Sequence, residues 1–360
     1  MLANEWNGRK VCFTSDIYKV DDRERLRLPN PHALNVEWIA SLFAPVFAEI
    51  TGAAAETVLA DDYPAPTARL AAYRRLGLEF STDGWARLHA GIDDAWLCER
   101  IGDLFAGSLV VGFETPPYLA RILRAQGIPL IDTTIHPVRF MPDYVFGMRS
   151  NVPDLHARLG AFAMADEAIR DEARLSRARS IRAFRRGWPE AGAAVFFGQI
   201  AVDSSLIVDG RMAGLADVTR ALADLRDTYP HVYYRPHPHI ERRRAVEAAV
   251  AEVGGITWTE AAAYDLLAVP TVAAVASLSS SVLHEARYFG VPARRVLANR
   301  DPALDGDTGT GLPAFLPMHP DILGIAAWRH VLGAAPAPAP GGRRLQDGAL
   351  RTSINMTWGR

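Results

Sequence analysis

Short apolar runs alternate with stretches of helical spacing along most of this chain, and they do so in two separate series. In the first series "KVCFTSDI", "ETVLA", "SLVVGFE" and "IPLIDTTIH" read as strands. Between them "NVEWIASLFAPVFAEIT", the region 67–106 and "PPYLARILRAQG" read as helices, the last with proline in its first turn. A polar-rich helix over about 153–186 follows, and "GWPEAG" stops it. The second series runs strand "AAVFFGQI", helix "LADVTRALADLRDTY", strand "HVYYRP", helix "IERRRAVEAAVAEVG" and strand "ITWTE". It continues with a short helix "AYDLLA", strand "TVAAVAS", helix "SVLHEARYFG" and strand "RRVLAN". Such alternation predicts an α/β protein whose parallel sheets are covered by helices on both faces. The predicted organisation is one Rossmann-like domain over 1–190 and a second over 191–333. "AAPAPAPGG" then opens a linker and tail over 334–360 that can pack back on the first domain.

The 360 residues, 49% apolar and 22% charged, suit two globular domains. A formal net charge of −2 supplies no global field for nucleic acid, and Arg182, Arg185 and Arg186 read as a solvated helix face. Cys12 and Cys98 have no CxxC partner, which argues against a zinc site or disulfide framework and fits a reducing cytoplasm. The opening "MLANEWNGRKVCF" has no apolar signal core, and no uncharged apolar run reaches about 18 residues. The expected location is therefore cytoplasmic, with peripheral association at the inner membrane or in an assembly complex left open. The first strand is not followed by G-x-G-x-x-G, and G-x-x-x-x-G-K-[ST] is absent, which disfavours dinucleotide dehydrogenases and P-loop enzymes. Two Rossmann-like, doubly wound domains facing a central cleft suggest the GT-B architecture.

Ligands of open α/β sheets bind beyond the carboxyl ends of strands, so the residues after each strand are the candidates. Asp203 follows "AVFFGQI" and is either a reactive carboxylate or a turn-capping aspartate. In "YYRPHPH", Pro236 and Pro238 confine His237. A preorganised imidazole there can bond a phosphate with little ordering cost, with Arg235 adding charge; the alternative is a strand-ending turn. Ser279, Ser280 and Ser281 precede a helix, where N–H groups, dipole and hydroxyls make an anion site, although capping alone needs only one serine. Glu285, one turn on, can reach ribose hydroxyls or stand as an ordinary helix glutamate. In the first series Glu114 ends one strand, and His136 and Arg139 follow the next. Burial beside "LVVGF" is expected to raise the Glu114 pKa toward a useful range.

"FFGQIAVDSSL", "YYRPHPH" and "ASLSSSVLHEARYFG", in this order, resemble the bacterial β-Kdo glycosyltransferases of capsule and O-antigen assembly (Kdo is 3-deoxy-D-manno-oct-2-ulosonic acid). "VGFETPPYLARILRAQGIPLIDTTIHPVRFMPDYVFG" resembles their acceptor-side half, and the likeness spans Val110 to Leu297. Arg235 stands where lysine is usual, and Ala201 and Val202 replace more acidic residues. The resemblance implies a CMP-β-Kdo donor, retention of configuration, and neither metal nor cofactor. It implies a donor site of Gln199, Arg235, His237, Pro238, Ser279, Ser280, Ser281 and Glu285. It also implies Asp203 as nucleophile, with Glu114 as acid/base, His136 as its rival, and Arg139 beside them. The expected partners are the CMP-sugar and a saccharide or lipid-linked saccharide acceptor. The His-Pro and serine-rich pair is also similar to that of GT-B sialyltransferases. An inverting CMP-sialic acid transferase therefore stays open, as do a nucleotide-sugar epimerase and a non-catalytic glycan- or partner-binding module.

Overall fold

The run "SLVVGF" is buried at all six positions, as a strand covered by helices on both faces must be. It lies near the middle of the first of the two larger sheets in the computed structural model, which describes residues 5–20, 31–60, 67–180, 188–240, 242–298, 306, 309–339, 341 and 344–354. Contacts group the chain into two units. The first is Met1–His136 with Tyr144–Met164 and Pro302–Met356; the second is Pro137–Asp143 with Ala165–Asp301 and Thr357–Arg360. The protein is α/β, and each unit carries its own largely parallel sheet, the composition of a GT-B-like fold.

In the first unit the elements are β1 (Lys10–Thr14), α1 (Pro31–Thr51), β2 (Ala55–Val58), α2 (Thr67–Arg75), α3 (Thr82–Ala90) and α4 (Ala95–Phe105). They continue with β3 (Ser108–Phe113), α5 (Pro117–Ala125), β4 (Leu130–Ile135), β5 (Phe146–Ser150) and α6 (Pro153–Gly160). The sheet order is β2, β1, β3, β4, β5 and then a short strand Leu316–Pro317. The last two pairings are antiparallel. Neither β5 nor Leu316–Pro317 is legible in the sequence pattern, because both are short and lack a run of β-branched residues. Asp132 of β4 faces Arg149 of β5 in register, and the two form a buried ion pair at 2.8 Å. Asp132 also accepts the Thr115 N–H at 2.9 Å, so the buried charge is fully engaged. Helix α1 is long and apolar enough by composition to cross a membrane, with mean hydropathy 1.3 over Ala33–Thr51. In the fold it serves as a core helix. Phe47 meets Phe13 of β1 edge-on, and Phe43 and Phe47 enclose Trp328 at ring distances of 5.5 and 4.7 Å.

The second unit contains α7 (Asp166–Ser180), β6 (Ala193–Phe197), a hairpin of β7 (Ile207–Val208) and β8 (Arg211–Met212), α8 (Leu215–Thr228) and β9 (Val232–Arg235). It continues with α9 (Arg243–Val253), β10 (Ile256–Trp258), α10 (Ala263–Ala268), β11 (Val272–Ser277), α11 (Val282–Ala286) and β12 (Ala293–Arg295). Its all-parallel five-stranded sheet has the order β10, β9, β6, β11, β12, the Rossmann order 3-2-1-4-5.

The units do not follow the sequence-based boundaries at 190 and 333. Helix α7 groups with the second unit, where it packs on α10, and the chain from Pro302 returns to the first. Amphipathic spacing shows which face of a helix is buried, not which sheet buries it. The arginines at 182, 185 and 186 lie outside the described residues. Trp328 is wholly buried. Trp328→Ala is therefore expected to lower the stability of the first unit by about 3–5 kcal/mol in urea unfolding, and an unchanged midpoint would remove the returning segment from its core.

Candidate active site

Between β6 and β11 the strand order of the second sheet reverses, so the loops leaving these strands diverge and a crevice opens beyond their carboxyl ends. Side chains from both strands span the gap, Gln199 making most of the bonds. Gln199, two residues past β6, accepts the Ser279 N–H on Oε1 at 2.8 Å. Its Nε2 donates to Ser279 Oγ at 3.0 Å and to Ser205 Oγ at 3.4 Å. Ser277 Oγ adds a bond to the Phe197 carbonyl at 2.8 Å. Gln199 and Ser279, both expected to bind donor, thus act behind the pocket as a brace, and Ser279 is only 5% exposed.

The pocket in front of this brace is lined by Arg139, Arg235, His237, Pro238, Ser280, Ser281 and Glu285, with Phe197, Gly198, His239, Ala263, Tyr264 and Val282. All lie in the second unit, because the segment Pro137–Asp143 between β4 and β5 belongs to it. Arg235 ends β9 and is held by its own bonds to the Pro236 carbonyl at 2.8 Å and the Ala261 carbonyl at 3.3 Å. At Gly198 any Cβ would collide with the Tyr234 hydroxyl, so the chain leaves β6 there only as glycine. Gly198 and Tyr264 escaped the sequence reading. A glycine directly after a buried strand was the available signal for the first, and nothing local marked the second.

His237 sits at the pocket with its ring fixed. Nδ1 accepts the His239 N–H at 3.1 Å, so the neutral ring must carry its proton on Nε2. Burial lowers its pKa from 6.5 to about 4, and the positive charges of His239, Arg235 and Arg139 add to the shift while Asp203 opposes it. The imidazole is therefore a neutral hydrogen-bond donor near pH 7.

The expected helix-dipole site is smaller than the sequence suggested. Helix α11 spans only Val282–Ala286, and the chain then turns through to Gly290. Ser280 Oγ accepts the Val282 N–H at 3.4 Å, and Ser281 makes no side-chain cap. Positive charge at the pocket comes mainly from the two arginines. Glu285 is 3% exposed, and burial raises its pKa from 4.5 to about 7, against the pull of Arg139 and its other bonds. Its Oε1 accepts the Arg139 N–H at 2.7 Å and the Tyr264 hydroxyl at 3.0 Å. It is an anchor within the unit, a role that neither a ribose contact nor an exposed helix glutamate had anticipated.

Asp203 follows β6 and caps a single 3-10 turn, Ser204–Leu206, through a 2.8 Å bond from Ser205 N–H to Oδ1. The same Ser205 accepts from Ser279 Oγ at 3.0 Å, which ties the Asp203 loop to the brace. Asp203 is half-buried and does not line the pocket just described.

In the first unit, Glu114 and His136 occupy the carboxyl ends of the neighbouring parallel strands β3 and β4. Thr134 Oγ1 donates to Glu114 Oε1 at 3.0 Å. Glu114 has φ of 50°, a left-handed conformation that a non-glycine residue adopts at some cost. That turn carries its side chain outward, so Glu114 is exposed, and the burial expected to raise its pKa is missing. His136 is buried. Asp16, just past β1, was overlooked. It is buried and accepts from Trp85 Nε1, the Tyr118 hydroxyl and the Tyr18 N–H.

No protein-family model matches the chain, and no curated protein matches it. Among solved structures it is similar to KpsC of Thermosulfurimonas dismutans, a beta Kdo 2,7 transferase, at 14% identity and TM-score 0.33 over 58% of this chain and 72% of that one. It is also similar to the UDP-GlcNAc 2-epimerase of Neisseria meningitidis, at 12% identity and TM-score 0.32 over 79% of this chain and 82% of that one. A third is the UDP-GlcNAc 2-epimerase of Methanocaldococcus jannaschii, at 11% identity and TM-score 0.29 over 79% and 83%. Likeness this distant carries no argument about activity, so the functional reading rests on the site.

Because the unfolded chain takes up a proton near pH 6.5 that folded His237 refuses until about 4, its contribution to stability is present above 6.5 and lost as pH falls toward 4. NMR titration is expected to place the His237 midpoint near 4. A midpoint near the ordinary histidine value would contradict the half-buried, cation-flanked setting.

Proposed function

We propose that this protein is a glycosyltransferase that moves Kdo from CMP-β-Kdo to a saccharide acceptor with retention of configuration. The observation that carries the reading is the pocket at the strand-order reversal, which sets two guanidinium groups, a neutral imidazole donor and two serines where a nucleotide phosphate can sit. His237 donates from Nε2 to the phosphate as the leaving group gathers charge, and Arg235 offsets that charge. Asp203 attacks the anomeric carbon, the bond to the CMP oxygen breaks, and a sugar ester forms on the carboxylate. In the second step Glu114 takes the proton of the acceptor hydroxyl, which displaces Asp203; His136 is the rival base. The pocket's own cations supply the charge stabilisation in this scheme, so no metal is invoked. We further propose work at the cytoplasmic face of the inner membrane, on a saccharide or lipid-linked saccharide.

Asp203→Ala is expected to abolish transfer with the fold retained, because a capping role alone would cost only about 0.5–2 kcal/mol of stability and nothing in rate. Near-normal turnover would remove Asp203 as nucleophile, and inversion at the anomeric carbon, read by NMR of the product, would favour a sialyltransferase-like mechanism. Glu114→Gln is expected to accumulate the Kdo–Asp203 adduct in intact-protein mass spectra. Normal turnover by Glu114→Gln together with loss in His136→Ala would assign the base to His136.

A further inference from the structure

The segment Pro137–Asp143 leaves the first sheet between β4 and β5, yet its contacts belong to the second unit. Two anchors hold it there. Phe140 is 7% exposed and packs against the rings of Tyr264, Tyr288 and Phe289 at 6.2, 5.8 and 5.3 Å. Glu285 takes the Arg139 N–H on Oε1, and Tyr264 bonds the same oxygen. The backbone of Arg139 is thus pinned on a rigid aromatic and carboxylate seat, and its side chain lines the pocket. Its charge acts on His237 and on Glu285.

Two guanidinium groups line this pocket, and the Glu285 carboxyl beside Arg139, raised by burial to about 7, offsets their charge only in part. A phosphodiester carries one negative charge, which Arg235, the imidazole donor and the serine hydroxyls can accommodate. Arg139 adds a second guanidinium, and its side chain remains at the pocket while Glu285 Oε1 is occupied by the Arg139 backbone N–H and the Tyr264 hydroxyl. His237 feels Arg139 and Asp203 with opposite sign, so both lie within Coulomb range of the ring that faces the leaving group. A donor bearing a carboxylate on its reacting carbon would bring a negative charge toward the Asp203 carboxylate. A planar, fork-shaped guanidinium is the group that would offset that repulsion and orient the carboxylate.

We propose that Arg139, set in place by Glu285 and Phe140, is the receptor for the sugar carboxylate of the donor, and that it restricts the site to nucleoside monophosphates of 2-ulosonic acids. This rests on the CMP-sugar reading given above and names the feature by which the donor is chosen. Glu285 and Phe140 are positioning residues.

The test is calorimetry in an Asp203→Asn background, which prevents turnover, with three probes: CMP, CMP-Kdo and UDP-N-acetylglucosamine. Arg139→Ala is expected to weaken CMP-Kdo about 10- to 150-fold, as for a lost bond between charged groups, while CMP changes by less than about threefold. Retained CMP affinity also shows that the variant is folded. Phe140→Ala is expected to reproduce the loss confined to CMP-Kdo, and Arg139→Lys to restore it only in part, since an ammonium is not a bidentate fork. Equal losses for CMP and CMP-Kdo would assign Arg139 to the phosphate and overturn the proposal alone. Unchanged affinity for both would do the same. UDP-N-acetylglucosamine bound more tightly than CMP-Kdo by the parent protein would mean that the second guanidinium serves a diphosphate, and would overturn the proposal. A parent protein that binds no CMP would overturn the CMP-sugar reading and this inference with it.

Discussion

The candidate site depends on a single side-chain amide. Gln199 joins the carboxyl ends of β6 and β11 where the strand order reverses and where no backbone ladder continues past the sheet. An amide can do this because it donates and accepts at once, meeting both the N–H and the hydroxyl of Ser279. Ser205 joins the same network, so the loop that carries Asp203 shares its support with the loop that carries Ser280 and Ser281. A charged side chain in this half-buried place would need a partner of opposite sign and would alter the pocket's field. Polar but neutral bracing leaves the arginines to set that field.

Around the brace, rigidity comes from a different source at each group. Arg235 is steadied by two carbonyl oxygens, His237 by the amide two residues on, and Arg139 through its own backbone. These arrangements restrict the three side chains without neutralising them, which would lower the ordering cost of the binding proposed for them. The Glu285 carboxyl belongs to the same scheme. Its burial is tolerated because amide and phenol donors replace the water it has lost.

Much of this was legible in the sequence, and the boundary of legibility has physical causes. Strands β1, β3, β4, β6, β9 and β11 were readable because apolar runs between helical stretches leave little else to form. The His-Pro pair and the serine run marked residues that line the pocket, His237, Pro238, Ser280 and Ser281, because proline restriction and hydroxyl clustering are local properties. What failed depended on partners distant in sequence. The seat of α7 on α10, the capture of Phe140 by Tyr264 and Phe289, and the recruitment of Glu285 as a backbone anchor all involve such partners. The exposure of Glu114 turned on one left-handed residue, which no glycine marked. Ser279 looked equivalent to its two neighbours until Gln199 claimed it.

The interrupted make-up of the first unit bears on how the chain is made. Its β1 emerges from the ribosome first, yet the strand Leu316–Pro317 and the Trp328 ring that Phe43 and Phe47 enclose are translated after the whole second sheet. Of the two units, the one begun earlier is therefore completed later, and its core stays open on the α1 side until some 280 further residues have followed that helix. The second sheet has all its strands within 193–295 and can close while the first still waits. At roughly 5–20 residues per second, that wait lasts tens of seconds, during which the apolar face of α1 is the surface most in need of a chaperone.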